Sequence, residues 1–105
     1  MNTWSLYREI REQLLGQLES LSVEQTEMKV PLCPQWRVVD VVSHLCGLNA
    51  DLVGGMRVGL GAEENTARQV ADRSGDTLAQ VAAEWRGYDD RIEELYAEIT
   101  GIGAA

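Results

Sequence analysis

Histidine occurs once in this chain, as His44, and lysine once, as Lys29. One imidazole cannot by itself supply the three or four nitrogen and sulfur ligands that zinc sites use. Cysteine occurs twice, and Cys33 and Cys46 stand thirteen positions apart, which is neither a metal-ligand pair spacing nor a disulfide framework. Nine basic side chains face seventeen acidic ones, for a net charge of -8. Eight of the nine cations are arginines scattered along the chain. The acidic balance and the absence of a basic stripe exclude nucleic acid and anionic membranes as expected partners. No apolar run approaches the ~18 residues that would span a bilayer. Met1-Asn2-Thr3-Trp4-Ser5 lacks the basic region and apolar block of a signal peptide. The expectation is a reduced, cytoplasmic protein.

What is present is helical patterning. The 105 residues, 45% hydrophobic, suit one domain spanning 1–105 with a modest core. Leu6, Ile10, Leu14, Leu18 and Leu21 recur every three or four positions and predict a helix over residues 3–21. A polar run to Lys29 ends it. Pro31 and Pro34 then force an extended segment, because a proline biases its predecessor away from helical angles. A second helix starts near Arg37, with Val38, Val41, Val42, Leu45, Leu48, Asn49, Leu52 and Met56 on one face. A buried strand over residues 38–42 competes with it, but the 3.6-residue period runs on for five turns. Gly54 and Gly55 mark its fraying end. After a polar crossover, Asn65 or Thr66 caps a short helix over 67–72. Thr77 and Gln80 stand at capping-box spacing and open a third long helix, with an apolar face of Leu78, Val81, Ala82, Trp85, Tyr88, Ile92, Leu95, Tyr96 and Ile99. Gly101 is its expected C-cap. The fold class read from the pattern is all-α.

The candidate chemistry centres on His44. On a helical wheel it lies roughly 100° from the middle of its helix's apolar stripe, with Asp40 and Asp51 within about 40° on the same flank. Asp40, one turn earlier, is placed to orient the imidazole as carboxylates beside metal-bound histidines do. Asp51 is roughly 10 Å further along the axis, too far to share an ion with His44. The bland alternative is a boundary histidine with a hydrogen-bonded ring. Cys33 and Cys46 are thiol nucleophiles or zinc ligands in one reading, and small core fillers in the other and commoner one. Trp36 and Trp85 are expected to anchor the core. The glycines at 54, 55, 59 and 61 follow no strand and form a flexible connection rather than a phosphate loop.

Pro34, Trp36, Val38, Asp40, Val41, Val42, His44, Leu45, Asn49, Ala50 and Asp51 together resemble the N-terminal domain of the mycothiol-dependent maleylpyruvate isomerase family. That family belongs to the DinB-like superfamily of metal-binding four-helix bundles. Residues 66–73 and Leu78 to Trp85 resemble its crossover and third helix. The resemblance implies an up-down bundle with three long helices plus a short crossover helix. It implies that His44 is the first of three ligands for zinc or another divalent metal, with a Glu or His and a second His supplied by a fourth helix. It also implies mycothiol, a small-molecule thiol, as cofactor. This sequence holds no second histidine, and the fourth bundle helix is expected to be missing from it. Glu93, Glu94 and Glu98 are the remaining carboxylates to consider near His44.

Two function classes result. The first is a metal-dependent thiol transferase or isomerase whose site is completed by residues outside this chain or by a partner chain. The second, preferred on the incomplete ligand set, is a truncated or degenerate family member acting as a helical dimerisation or binding module. A homodimer is expected, since three amphipathic helices of a four-helix bundle leave an apolar groove open. Trp85, Tyr88, Ile92 and Tyr96, or Leu14 and Leu18, are its expected contacts.

Overall fold

The computed structural model describes residues 3–100, without the side chains of Ile99 and Thr100. Six helices and one small hairpin follow in order: α1 Thr3–Glu19, α2 Val23–Thr26, β1 Lys29–Val30, β2 Cys33–Arg37, α3 Val38–Val53, α4 Glu63–Asp72, α5 Leu78–Gly87 and α6 Asp89–Thr100. The all-α class holds. Among the described residues, α1, α3 and the α5–α6 pair are the long elements, and α4 is the crossover helix.

Local chemistry sets the boundaries. At α2, Ser22 Oγ accepts from Gln25 N at 3.1 Å, and Gln25 Oε1 accepts from Ser22 N at 2.8 Å. This reciprocal cap makes a helical turn, Val23–Thr26, inside the polar run that ends the first apolar stripe. β1 and β2 pair antiparallel, Lys29 opposite Arg37 and Val30 opposite Cys33, so the extended proline segment closes into a hairpin. At α3, Asp40 accepts from Arg37 N at 2.9 Å. At α5, Thr77 and Gln80 cap each other reciprocally at 2.8 and 3.2 Å, as their spacing predicts. The crossover helix begins at Glu63 after Ala62, a turn earlier than Asn65 or Thr66. Gly55, at φ 108, turns the chain after α3 in a conformation that suits glycine. Gly101 lies outside the described residues.

The third long helix is two helices. Tyr88 separates α5 from α6, and its N–H bonds to Trp85 O, three residues back, at 3.1 Å. Two features favour the break: Gly87 is a poor helix former, and Asp89 and Asp90 suit a new helix N-terminus. The Tyr88 hydroxyl donates back to Glu84 at 2.6 Å. The apolar stripe nevertheless carries on through the break, with Leu78, Val81, Ala82, Trp85, Ile92 and Leu95 buried.

On α1 the buried face is not the leucine stripe. Trp4, Arg11 and Leu15 are buried, whereas Leu6, Ile10 and Leu14 are 48%, 57% and 38% exposed. Trp4, Arg11, Leu15 and Leu18 also share a helical face, and an arginine in that row disguises it. Arg11 is buried because its guanidinium pairs with Asp89 and lies 5.6 Å over the Trp85 ring. On α3 the fully buried residues are Val39, Asp40, Val42, Ser43, Cys46 and Gly47. Leu45, Leu48 and Leu52 are only half-buried, so this face too is turned relative to the expected one. The cause is α4: a Cβ on Gly47 would stand 2.4 Å from Gln69 Cβ, so only glycine admits so close a neighbour.

Leu15, Val39, Val42, Cys46, Leu78, Val81, Ala82 and Trp85 form the main core; Trp4, Ile92 and Leu95 form a second cluster. Trp85 and Ile92 are thus inside the protein's own core rather than on a face open to a second copy. No helix among the described residues is long and apolar enough to cross a membrane.

Candidate site around His44

α3 presents His44 half-buried on its outer flank. The hairpin brings Trp36 against it, with ring centroids 5.5 Å apart and planes tilted by 41°. Trp36 is itself half-buried, a wall beside the imidazole rather than a core anchor. From the other side α4 contributes Gln69, a fully buried side chain. Gln69 Oε1 lies 2.8 Å from His44 Nδ1. Gln69 Nε2 donates to Asp51 Oδ2 at 2.8 Å, and Arg68 Nη2 donates to the same oxygen at 2.5 Å. The Arg68 guanidinium, with help from Gln69, holds the Asp51 carboxyl below the usual carboxylate range. Asp51 and His44 are thus joined through a buried amide.

Asp40 is placed elsewhere. Its Oδ2 accepts from Arg37 Nε at 3.1 Å and its Oδ1 from Arg37 Nη2 at 2.9 Å. Burial raises the Asp40 pKa, but the Arg37 hydrogen bonds outweigh that and leave it lowered. The carboxylate one turn before His44 therefore serves the start of α3, and the group at His44 Nδ1 is Gln69.

Cys33 and Cys46 are both free thiols. Burial pushes the Cys46 thiol up to about 12, which makes it inert as a nucleophile near neutral pH. Cys46 sits beside a second polar network. Arg73 pairs with Glu84 through Nε at 2.9 Å and Nη2 at 2.7 Å, and its Nη1 donates to Gln69 O at 3.0 Å. Glu84 is held below its ordinary value, first by the Arg73 hydrogen bonds. Glu94 and Glu98 pair with Arg91 at 2.9 and 3.6 Å, and Glu93 borders a polar hollow with Trp4, Arg8 and Glu12.

Among the described residues no group of three or more His, Cys, Asp and Glu side chains could hold a metal ion. The donor set at this position is a single imidazole, which does not make a metal centre on its own.

Sequence reasoning missed Gln69, Arg73 and Glu84. The available signal was α4 itself. Its sequence, Glu63–Asp72, offers few apolar side chains, so it packs only by burying polar ones. Gln69, and Arg73 one turn on at the helix's C-cap, are those residues.

Comparison with curated proteins and with solved structures returns no match. The profile of one family, described as the mycothiol maleylpyruvate isomerase N-terminal domain, matches residues 7–100. The match spans nearly every described residue, including the Trp36–His44 pair and the Gln69 crossover, and the helical fold is the one expected of that DinB-like group. The chain belongs to the mycothiol maleylpyruvate isomerase N-terminal domain family.

Proposed function

We propose that the chain is a helical binding module that pairs with a second copy of itself through α1. The observation that carries this is the exposed row of Leu6, Tyr7, Ile10 and Leu14 along one side of that helix. An apolar hollow of about 360 Å³ adjoins the row, bordered by Trp4, Tyr7, Leu52 and Tyr96. Contiguous apolar surface of this kind marks interaction sites in soluble proteins, and burying each such side chain contributes roughly 1.5–3 kcal/mol at full burial. A two-fold contact, in which each α1 covers the other, is the commonest way for one chain to close its own patch. Sedimentation equilibrium at tens of micromolar tests it. A dimer that Ile10→Glu converts to a monomer is the expected result. A wild-type monomer at that concentration overturns it.

A second reading is favoured by one observation, the buried amide that anchors His44 Nδ1. It is that the chain contributes His44 to a divalent-metal, mycothiol-dependent transferase or isomerase site whose other ligands come from residues outside this chain or from a partner chain. Zinc in stoichiometric amount by elemental analysis, lost in His44→Ala, supports this reading; its absence from protein purified with zinc present counts against it.

A further inference from the structure

We propose that Gln69 is a positioning residue: clamped by Asp51, its side chain holds His44 in the tautomer protonated at Nδ1 and leaves Nε2 as the open lone pair. The argument starts at Asp51. Its carboxylate is ionised and can only accept hydrogen bonds. Gln69 must therefore turn its NH2 toward Asp51 Oδ2, at 2.8 Å, and the same NH2 lies 3.4 Å from Leu60 O, a second acceptor. That leaves Gln69 Oε1 facing His44 Nδ1 at 2.8 Å. Two acceptors cannot bond each other, so Nδ1 carries the proton and donates. The order runs from His44 to Gln69 to Asp51, with Arg68 holding Asp51 at the far end.

The clamp has little freedom. Gln69 is fully buried, Gly47 leaves it no more room than its own width, and Arg73 fixes its backbone carbonyl at 3.0 Å. An unconstrained neutral imidazole prefers its proton on Nε2. Here that preference is reversed, at a ring whose other side meets Trp36. A neutral imidazole with an outward Nε2 lone pair is the form that ligates a divalent cation, and the group on its other nitrogen decides which form is present. The inference deepens the second reading above by naming the residue that would prepare His44 for a cation. It rests on metal-free geometry, so the two can fail separately.

The test is a long-range proton–nitrogen correlation spectrum of the 15N-labelled full chain, without metal, at a pH where the ring is neutral. His44 is the only histidine, so one imidazole is read without assignment. The expected pattern is a pyrrole-type shift at Nδ1 and a pyridine-type shift at Nε2. In Gln69→Leu, which removes the acceptor at Nδ1, the two shifts move toward the Nε2-protonated pattern. In Asp51→Ala, which frees the Gln69 amide to turn over, the Nδ1-protonated fraction falls. A wild-type ring protonated at Nε2 overturns the proposal even if a variant fails to fold, and so does a pattern unchanged in folded Gln69→Leu or Asp51→Ala.

Discussion

Arg11 grips Asp89 with both ends of its guanidinium, Nη1 on Oδ1 at 2.5 Å and Nη2 on Oδ2 at 2.6 Å. The arginine sits near the middle of α1 and the aspartate opens α6, so one fork ties the first helix to the last. The Arg11 side chain is 2% exposed. Removing Asp89 leaves the buried guanidinium with Glu12 as its one carboxylate, 3.0 Å from Nε, a loss at or below the low end of the range, about 3–5 kcal/mol, that an unpaired buried charge costs. Asp89→Ala should lower stability by that order in urea unfolding. Arg11→Met, which fills the space without a charge, should cost less, because the carboxylate it leaves behind, Asp89, is 21% exposed and open to hydration, whereas the arginine is not. The double variant is expected to be no worse than Asp89→Ala alone.

Gly47 makes a second prediction. A methyl there meets Gln69 Cβ at 2.4 Å and Cγ at 2.5 Å, and both α3 and α4 backbones stand behind the clash. Gly47→Ala should destabilise by about 1–3 kcal/mol despite alanine's better helix propensity, and thermal unfolding followed by circular dichroism reads it. Gly16→Ala, on α1 with nothing within 4 Å of the added carbon, should stabilise slightly.

Acid should unfold the protein in a definite window. Asp40, Asp51 and Glu84 all have folded pKa values below their ordinary ones. A depressed carboxylate contributes stability above its unfolded value of about 4; that contribution is lost as pH falls through the lower folded value. The melting temperature should therefore be flat on this account above about pH 5 and drop steadily below about pH 4. Glu84→Gln, which keeps the shape but drops the charge paired with Arg73, should shrink the drop as well as lower the plateau.

Alkali should act through groups of the opposite kind. Burial pushes Cys46 and Tyr88 up to about 12 each. A raised pKa means stability that is whole below the unfolded value, about 8.5 for the thiol, and lost as pH climbs toward the folded one. Cys46 should resist alkylation at mildly basic pH until the protein unfolds, so the rate of labelling in Cys33→Ser reports global opening. Labelling of that variant as fast as a free thiol in folded protein would disprove it.

The sequence was legible wherever one side chain decided the outcome locally. Thr77 with Gln80 predicted the start of α5, Pro31 with Pro34 the extended link, and Gly54 with Gly55 the end of α3. The error on α1 had a physical source. Periodicity counts apolar residues, and Arg11 enters the core only because Asp89 and Trp85, some eighty positions away, satisfy its charge and cover its plane. No local pattern encodes that. Asp40 shares a helix flank with His44, but its carboxylate is drawn to the charge and cap N–H of Arg37. Gln69 is the instructive omission. Its role depends on α4 approaching α3 at Gly47, a tertiary fact, although the Gly47 and Gln69 positions are both in the matched family segment.

The break at Tyr88 divides the protein's cohesion. Leu78, Val81, Ala82 and Trp85 of α5 belong to the main cluster, and Ile92 and Leu95 of α6 to the second cluster with Trp4, while Tyr88 packs against both. The last helix and the first turn of α1 thus share a smaller cluster, which meets the α3–α5 body through Tyr88 and through Leu52 and Val53 at the end of α3. Amide exchange should then be faster around the smaller cluster than in that body. Since Trp4 borders the same hollow as Tyr7 and Tyr96, anything that docks on α1 would slow exchange across the smaller cluster.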